Sequence, residues 1–414
     1  MNNFSELSLS PVLQANLSRL GFVKPTPVQS EAIPHALAGQ DVVATAQTGT
    51  GKTLAFVLPI LQALTAERIP AGISAVILSP TRELAIQIHE AFSQLASGTG
   101  IRAAIVVGGL NEHSQLQTIR KGAQVLVATP GRLNDFLERK LVKFGAVRIL
   151  VLDEADRMLD MGFLPTIKRL LGSMPAARQT LFFSATIESS VAHLVNDYLK
   201  NPIRIAIGSA TKPADHIDLG VYEVDQDKKL SLLHHMLKQE TGSFLVFART
   251  KRGADRLAKN LARFGVFAAP IHGDRSQNQR NQALRGFQQG QYRVLVATDV
   301  AARGIHVEGI AHVVNYDLPQ VPEDFIHRVG RTGRAGVSGK ATTFATPNER
   351  GEIRRIERTI SLRLARRDVP AELAREQKQP VGVIVMPTAA GRMKAPIAAF
   401  KSFKPRRNRA QGGR

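Results

Sequence analysis

The sequence predicts two tandem, doubly wound α/β domains, each a parallel sheet with helices on both faces, followed by a basic tail. Three observations predict it. The chain's 414 residues exceed the ~250–300 at which a single core stops growing. Short β-branched runs alternate with helical patterns. The alternation breaks once, at a small polar stretch, and then starts again.

In the first half the strand-like runs are Asp41-Val-Val-Ala-Thr-Ala46, Ser74-Ala-Val-Ile-Leu78, Ala103-Ala-Ile-Val-Val107, Gln124-Val-Leu-Val-Ala128, Ile149-Leu-Val-Leu152 and Thr180-Leu-Phe-Phe183. Continuous apolar runs of this length are strands buried on both faces, the habit of parallel sheets. Between them, segments such as Glu83-Leu-Ala-Ile-Gln-Ile-His-Glu-Ala-Phe92 carry apolar residues at helical spacing. Gly208-Ser-Ala-Thr-Lys-Pro-Ala-Asp215 is small, polar and contains proline, which marks a linker. New strands follow at Ser243–Phe247, Val266–Pro270, Arg293–Ala297, His312–Asn315 and Ala341–Phe344. The expected organisation is a first domain over 1–207, a linker over 208–218, a second domain over 219–365 and a tail over 366–414. The tail, with one isolated apolar run at Val381-Gly-Val-Ile-Val385, is expected to be mostly disordered.

Charge narrows the partner. The formal net charge is +21, and from Gly391 to Arg414 there are eight Lys or Arg and no acid. Such an excess favours a polyanion, nucleic acid before membrane, since no amphipathic basic helix with a Trp-rich face is present. The apolar runs are far shorter than the ~20 residues of a membrane span. The start, Met1-Asn-Asn-Phe-Ser-Glu6, lacks the pattern of a signal peptide. Cysteine is absent, which excludes disulfides and thiolate metal sites. The expectation is a cytoplasmic protein that binds no membrane.

Two motifs carry chemistry by themselves. Ala46-Gln47-Thr48-Gly49-Thr50-Gly51-Lys52-Thr53 lies between a strand and a helical run. There, glycines bring backbone N–H groups onto phosphates at a helix N-terminus, Lys52 reaches the terminal phosphates and Thr53 ligates magnesium. Asp153-Glu154 follows an apolar strand, at the sheet end where ligands bind. An aspartate there holds magnesium and a neighbouring glutamate orients or deprotonates an attacking water. ATP and Mg²⁺ are the cofactors expected.

With Asp153-Glu-Ala-Asp156, Ser184-Ala-Thr186 and His327-Arg-Val-Gly-Arg-Thr-Gly-Arg334 in this order, the chain resembles the DEAD-box ATP-dependent RNA helicases over roughly residues 4–346. Further matching stretches are Gly21-Phe22-Val-Lys-Pro-Thr-Pro-Val-Gln29 with Phe4 upstream, Pro80-Thr81-Arg82-Glu83-Leu84, Gly108-Gly109, Thr129-Pro-Gly131-Arg132, Gln277-Asn-Gln-Arg280 and Ala297-Thr298-Asp-Val-Ala-Ala-Arg303-Gly304. The compact body with a short basic tail is similar to the bacterial RhlE-like subgroup.

The resemblance implies two RecA-like domains with ATP between them and RNA across both. It implies that Gln29 reads the adenine edge and Phe22 packs on the base. Lys52, Thr53, Asp153 and Glu154 take the phosphate, metal and water roles, while Arg331 and Arg334 stabilise charge on the transferring phosphoryl group. Ser184, Thr186, Asp156 and His327 couple the nucleotide site to the domain interface. Thr81, Arg82, Gly109, Thr129, Gly131 and Arg132 in the first domain, and Gly273, Gln277, Arg280 and Thr298 in the second, contact RNA phosphate and sugar without reading bases. The partner implied is RNA, whether structured, ribosomal or messenger, with ribonucleoprotein or RNA-degradation partners and a monomeric chain. Local unwinding of short duplexes is the activity implied; an ATP-gated RNA clamp with little strand separation needs the same motifs. One position departs from the pattern. Where the family carries an aspartate on the ATP ribose, this chain has His306. A neutral imidazole still accepts a hydrogen bond from a hydroxyl, and a protonated one does not.

Overall fold

The structure is a computed structural model that describes residues 1–46, 50–66, 72–187, 189–207, 216–302, 309–333 and 338–373. The first sheet comprises β1 (Val42–Thr45), β2 (Ala75–Leu78), β3 (Ala103–Val106), β4 (Val125–Ala128), β5 (Ile149–Leu152), β6 (Gln179–Ser184) and β7 (Ile203–Ala206). All pairings are parallel, in the order β3-β4-β2-β5-β6-β1-β7. The second sheet comprises β8 (Ile217–Glu223), β9 (Ser243–Phe247), β10 (Ala268–Ile271), β11 (Val294–Ala297), β12 (Ile310–Asn315), β13 (Gly339–Ala345) and β14 (Ala365–Arg367). It too is parallel throughout, in the order β10-β11-β9-β12-β13-β8-β14. Counted from its own first strand, this is the strand order of the first sheet. The fold is therefore the same doubly wound topology twice, as the sequence predicts.

Each sheet has a core on both faces because residues alternate sides along a strand. In β2, Ala75 and Ile77 join one buried cluster while Val76 and Leu78 join the other. In β9, Leu245 and Phe247 face one way and Phe244 and Val246 the other. Strands such as β2 and β9 are thus apolar at successive positions, which is why they stand out in the sequence.

The sequence reading passes over β7, β8 and β14. Two of these are edge or near-edge strands with polar residues on an exposed side, as in Ile203-Arg-Ile-Ala206 and Ala365-Arg-Arg367. β8 interrupts its apolar pattern with Asp218 and Gly220. β14 straddles the boundary expected at residue 365, and Val369 and Leu373 still pack against the second core. Most of the linker stretch and all of the tail from residue 374 lie outside the described residues. Among the described residues no helix is long and apolar enough to cross a membrane.

Candidate functional site

Strand order sorts the motif residues into two groups. Neighbouring strands β5, β6 and β1 deliver, at their C-terminal ends, Asp153-Glu154, Ser184-Ala-Thr186 and the loop from Ala46 to Thr53. The other half of the sheet, β3, β4 and β2, delivers Gly108-Gly109, Thr129-Pro-Gly131-Arg132 and Thr81-Arg82. Sequence order mixes these two sets; the sheet separates them.

In the phosphate loop, Ala46 N–H donates to Ser184 O (3.0 Å), which ties the loop to the end of β6. Lys52 opens the helix Lys52–Ala66 and its Nζ donates to Ala46 O at 2.9 Å, folding the ammonium across the loop's mouth. Gln29 is buried in the helix Pro27–Leu37. Its Nε2 donates to Gly51 O (3.0 Å) and its Oε1 accepts from Thr26 N–H (2.9 Å). Its amide thus holds the far side of the same loop. Gly51 has φ +88°, and a Cβ there would run into Gln29 Nε2, so glycine is required on two counts. Phe22 is 38% exposed and meets buried Phe4 edge-on, with centroids 6.4 Å apart. Thr50 and Thr53 flank the loop's exit, both half-buried. Gln47, Thr48 and Gly49 lie outside the described residues.

Across β6 from the loop, Asp153 is fully enclosed. Burial pushes its carboxyl up to about 7, the Lys52 charge pulls it down, and the Glu154 carboxylate beside it raises it again. Glu154 has left-handed backbone, φ +50° and ψ +53°, a strained state for a residue with a side chain. Asp156 is the hub of the next layer. Its Oδ2 accepts from Ala185 N–H (2.9 Å), Thr186 N–H (3.0 Å) and Thr186 Oγ1 (3.3 Å). Ser184 Oγ accepts from Asp156 N–H (3.3 Å) and donates to Thr186 O (2.7 Å). Asp156, Ser184 and Thr186 are therefore one network.

Among the phosphate-contacting candidates, Thr81 and Thr129 occupy the N-cap positions of helices Arg82–Leu95 and Pro130–Glu138. Helix N-termini with free N–H groups suit phosphate. The Arg82 guanidinium lies over Gly108 and Gly109, close enough to collide with a Cβ on Gly109, whose φ is +78°. Gly131 is exposed beside Phe163. Arg132 is held by Glu112 (3.0 Å) and Asp135 (3.1 Å), in a cluster that Arg139 shares.

In the second half, Gly273 and Thr298 follow β10 and β11, in places equivalent to Gly108 and Thr129. Gln277 and Arg280 reach the first half. Gln277 Nε2 donates to Glu83 Oε1 (2.9 Å), and Arg280 Nη2 lies 3.1 Å from the same oxygen. Their side chains thus join the two halves through Glu83, a buried acid to which sequence reasoning gave no task. Its signal was present: a glutamate inside the quoted Pro80–Leu84 stretch, on the inward face of an amphipathic helix.

Arg328, also missed, is 2% exposed on the helix Glu323–Val329. It grips Asp299 with Nε (2.5 Å) and Nη2 (2.7 Å), donates to Asn315 Oδ1 and Asp317 O, and lies over the Phe247 ring. This fork anchors the turn that presents His327 and Arg331. Arg331 is buried, and its Nε donates to His327 O at 3.3 Å. Arg331, His327, Asp299 and Asp324 line a narrow cavity together with Arg157 of the first half. Arg334 and His306 lie outside the described residues.

Comparison with known proteins agrees with this geometry. The DEAD/DEAH box helicase family matches residues 26–194, and the helicase conserved C-terminal domain matches residues 228–336. The DEAD-box ATP-dependent RNA helicase CshA of Bacillus cereus (strain ATCC 10987 / NRS 248) is 40% identical over 371 residues, covering 89% of this chain and 70% of that one. CshA of Geobacillus kaustophilus (strain HTA426) is likewise 40% identical, with 79% of its length covered. Among solved structures, S. cerevisiae Dbp5 bound to RNA and ADP BeF3 is 31% identical, with a TM-score of 0.80 over 89% of this chain and 96% of that one. Mss116p bound to ssRNA and AMP-PNP is 30% identical, with a TM-score of 0.82 over 89% and 79%.

Proposed function

Because the chain belongs to the DEAD-box ATP-dependent RNA helicases, we propose that it clasps one RNA strand between its halves with ATP bound and so separates short duplexes locally. It is an RNA-stimulated ATPase that uses ATP with Mg²⁺ and has RNA as its partner. The observation that carries the reading is the sheet's own sorting: phosphate loop, acidic pair and Ser-Ala-Thr stretch at one end, helix N-caps and Gly108-Gly109 at the other.

Among the described residues, no group of three or more His, Cys, Asp or Glu could hold a metal ion unaided. Magnesium keeps most of its waters and binds one or two protein groups plus phosphate oxygens. Thr53 and Asp153 would supply those groups, with the Lys52 charge acting on the Asp153 carboxyl. Magnesium-bound ATP, when present, supplies the phosphoanhydride that is cleaved. Lys52, leaving the Ala46 carbonyl, holds the terminal phosphate, and Ala46 through Gly51 offer backbone N–H groups, including those of Gln47, Thr48, Gly49 and Thr50. Gln29 and Phe22 select the base. Glu154 orients the attacking water and accepts its proton. Arg331 and Arg334 stabilise the charge that develops, an effect worth ~10³–10⁵ in rate for one such arginine. That is ~4–7 kcal/mol, enough to make hydrolysis depend on closure.

Thr81, Arg82, Gly109, Thr129, Gly131 and Arg132, with Gly273 and Thr298, hold the RNA backbone. Gln277 and Arg280 keep a place on that path while fastening the halves through Glu83. Asp156, Ser184, Thr186 and His327 pass the nucleotide state to the interface. His306 contacts the ribose, so ATP binding weakens as its imidazole takes up a proton. In this reading the domains run over 1–207 and 219–365, the chain acts as a monomer in the cytoplasm on structured, ribosomal or messenger RNA, and it groups with the RhlE-like helicases.

The test is Glu154→Gln, which should abolish steady-state ATP turnover while RNA binding stays dependent on ATP; Lys52→Ala should impair both. Wild-type turnover by the Glu154→Gln protein would remove Glu154 from the chemistry. A duplex-release assay with and without ATP separates unwinding from clamping, since a clamp binds without releasing the strand.

A further inference from the structure

Arg132 is proposed to hold an RNA phosphate, yet carboxylates already hold it. It stands in the first turn of the helix Pro130–Glu138, with Nη1 3.0 Å from Glu112 Oε2 and 3.1 Å from Asp135 Oδ2. The Phe136 ring, 5.5 Å from the guanidinium, steadies it without using its N–H groups. Glu112 opens the helix Glu112–Arg120, whose N-cap Asn111 follows Gly108-Gly109 in the loop after β3. The competing acid thus comes from a loop that itself carries a phosphate candidate.

A second arginine takes the same two acids. Arg139 Nη2 lies 2.5 Å from Glu112 Oε1, and its Nη1 lies 2.9 Å from Glu112 Oε2 and 3.2 Å from Asp135 Oδ2. The Arg139 guanidinium, more than that of Arg132, holds the Glu112 carboxyl below its ordinary value. Glu138, on the same helix as Arg132, is engaged elsewhere, by Asn134 Nδ2 (3.0 Å) and by Arg169. Two arginines therefore share two carboxylates, and either arginine can leave without stripping the acids of a partner. All four side chains are partly exposed, where ion pairs are weak and screened by salt, so exchange of a carboxylate for a phosphate is easy.

We propose that this cluster is a carboxylate-for-phosphate exchange seat that sets RNA affinity: Glu112 and Asp135 hold Arg132 until an RNA phosphate claims it, and Arg139 then retains both acids. The inference rests on the assignment of Arg132 to RNA. Its consequence is that Glu112 and Arg139, which need not touch RNA themselves, act on its binding with opposite sign. Glu112 competes with RNA for Arg132. Arg139 draws that competitor away.

The experiment uses the full chain and measures, by anisotropy, its affinity for a labelled single-stranded RNA with ADP–beryllium fluoride bound, at about 50 mM salt, where screening is weak. Glu112→Gln should tighten RNA binding by about two- to fivefold and Arg139→Gln should weaken it by a similar factor, the worth of one exposed ion pair. Glu138→Gln removes an acid that does not reach Arg132 and should move the affinity less. In an Arg132→Gln background, itself weaker in RNA binding, the Glu112 and Arg139 shifts should vanish. The RNA concentration that half-activates ATP turnover should follow the affinity, while kcat at saturating RNA holds. These positions lie at the surface, so the substitutions leave the core untouched.

Shifts that persist without Arg132, or an equal shift from Glu138→Gln, would reduce the cluster to its net charge and overturn the proposal. Weaker binding in Glu112→Gln would overturn it too, by making Glu112 a support that aims Arg132 at RNA. A lowered affinity in Arg132→Gln beside unchanged Glu112→Gln and Arg139→Gln sinks the exchange alone. An unchanged affinity in Arg132→Gln removes Arg132 from the RNA path, and the exchange falls with it.

Discussion

Gly109 is required twice, once by its φ of +78° and once by the Arg82 guanidinium lying where a Cβ would go. Gly109→Ala therefore takes on ~1–2 kcal/mol of left-handed strain and pushes Arg82 off its seat. If Arg82 holds an RNA phosphate, a charge-assisted hydrogen bond of ~1.5–3 kcal/mol is lost, about ten- to hundredfold in RNA affinity. ATP binding without RNA should be unchanged, because the phosphate loop lies across the sheet on β1. Anisotropy with a labelled single strand measures this, and unaltered RNA affinity would take Arg82 out of the contact set. At this scale the sequence was legible in placement: Gly51-Lys52-Thr53 lies between a strand and a helix and Asp153-Glu154 at the end of β5, as local spacing predicts. Glu83 was not legible in this way, since its partner Gln277 lies 194 residues on. Nor was Arg328, whose grip on Asp299 depends on neighbouring strands that the sequence does not put side by side.

Strands, too, were legible in proportion to their burial. Inner strands such as β5 and β11 are buried at every position and read as unbroken apolar runs, whereas β7, β8 and β14 mix charged residues or glycine into theirs. β10 carries Pro270 within the strand, which is tolerated because β10 is an edge. His312, on β12, is an unusual member of an inner strand. It is buried, stacked on Phe244, with Nδ1 2.9 Å from Glu240 and Nε2 2.8 Å from Thr342 Oγ1. Burial holds its pKa below the ordinary imidazole value; Glu240 opposes this, while Lys340 and Arg367 reinforce it. The folded protein thus binds this proton less readily than the unfolded chain. The stability that His312 contributes is present above the ordinary imidazole value and is lost as pH falls through the lowered one. Urea unfolding at pH 7.5, 6 and 5 should show the wild type losing more stability on acidification than His312→Gln, which is less stable at pH 7.5. Parallel pH profiles would mean that His312 does not titrate on unfolding.

For the whole molecule, the two identical strand orders explain how the site is built from halves. In the proposed reading each sheet offers one end to the same RNA path, while only the first has the Gly51-Lys52-Thr53 loop after its opening strand; after β8 the chain runs Val224-Asp-Gln-Asp-Lys-Lys229 instead. If Arg331 and Arg334 serve the phosphoryl group as proposed, the halves must meet for hydrolysis; they touch where Glu83 meets Gln277 and Arg280 and around the cavity that Arg157 lines with Arg331. The basic tail lies outside this machinery in the sequence, beyond every motif. Its eight positive charges from Arg392 to Arg414 have no acid among them. If all eight engage single-stranded RNA, counterion release at a slope of about −0.7 per contact predicts a loss of roughly 10³ in affinity between 50 and 200 mM salt, and four contacts only about fiftyfold. The size of the salt effect therefore counts the contacts. Removing residues 391–414 should weaken RNA binding and flatten its salt dependence, while ATP turnover at saturating RNA holds, because a tether raises the local concentration of RNA without touching the chemistry. A truncated chain with the same affinity and the same salt slope would show that the core alone holds the RNA, and that the tail's charge serves some other polyanion.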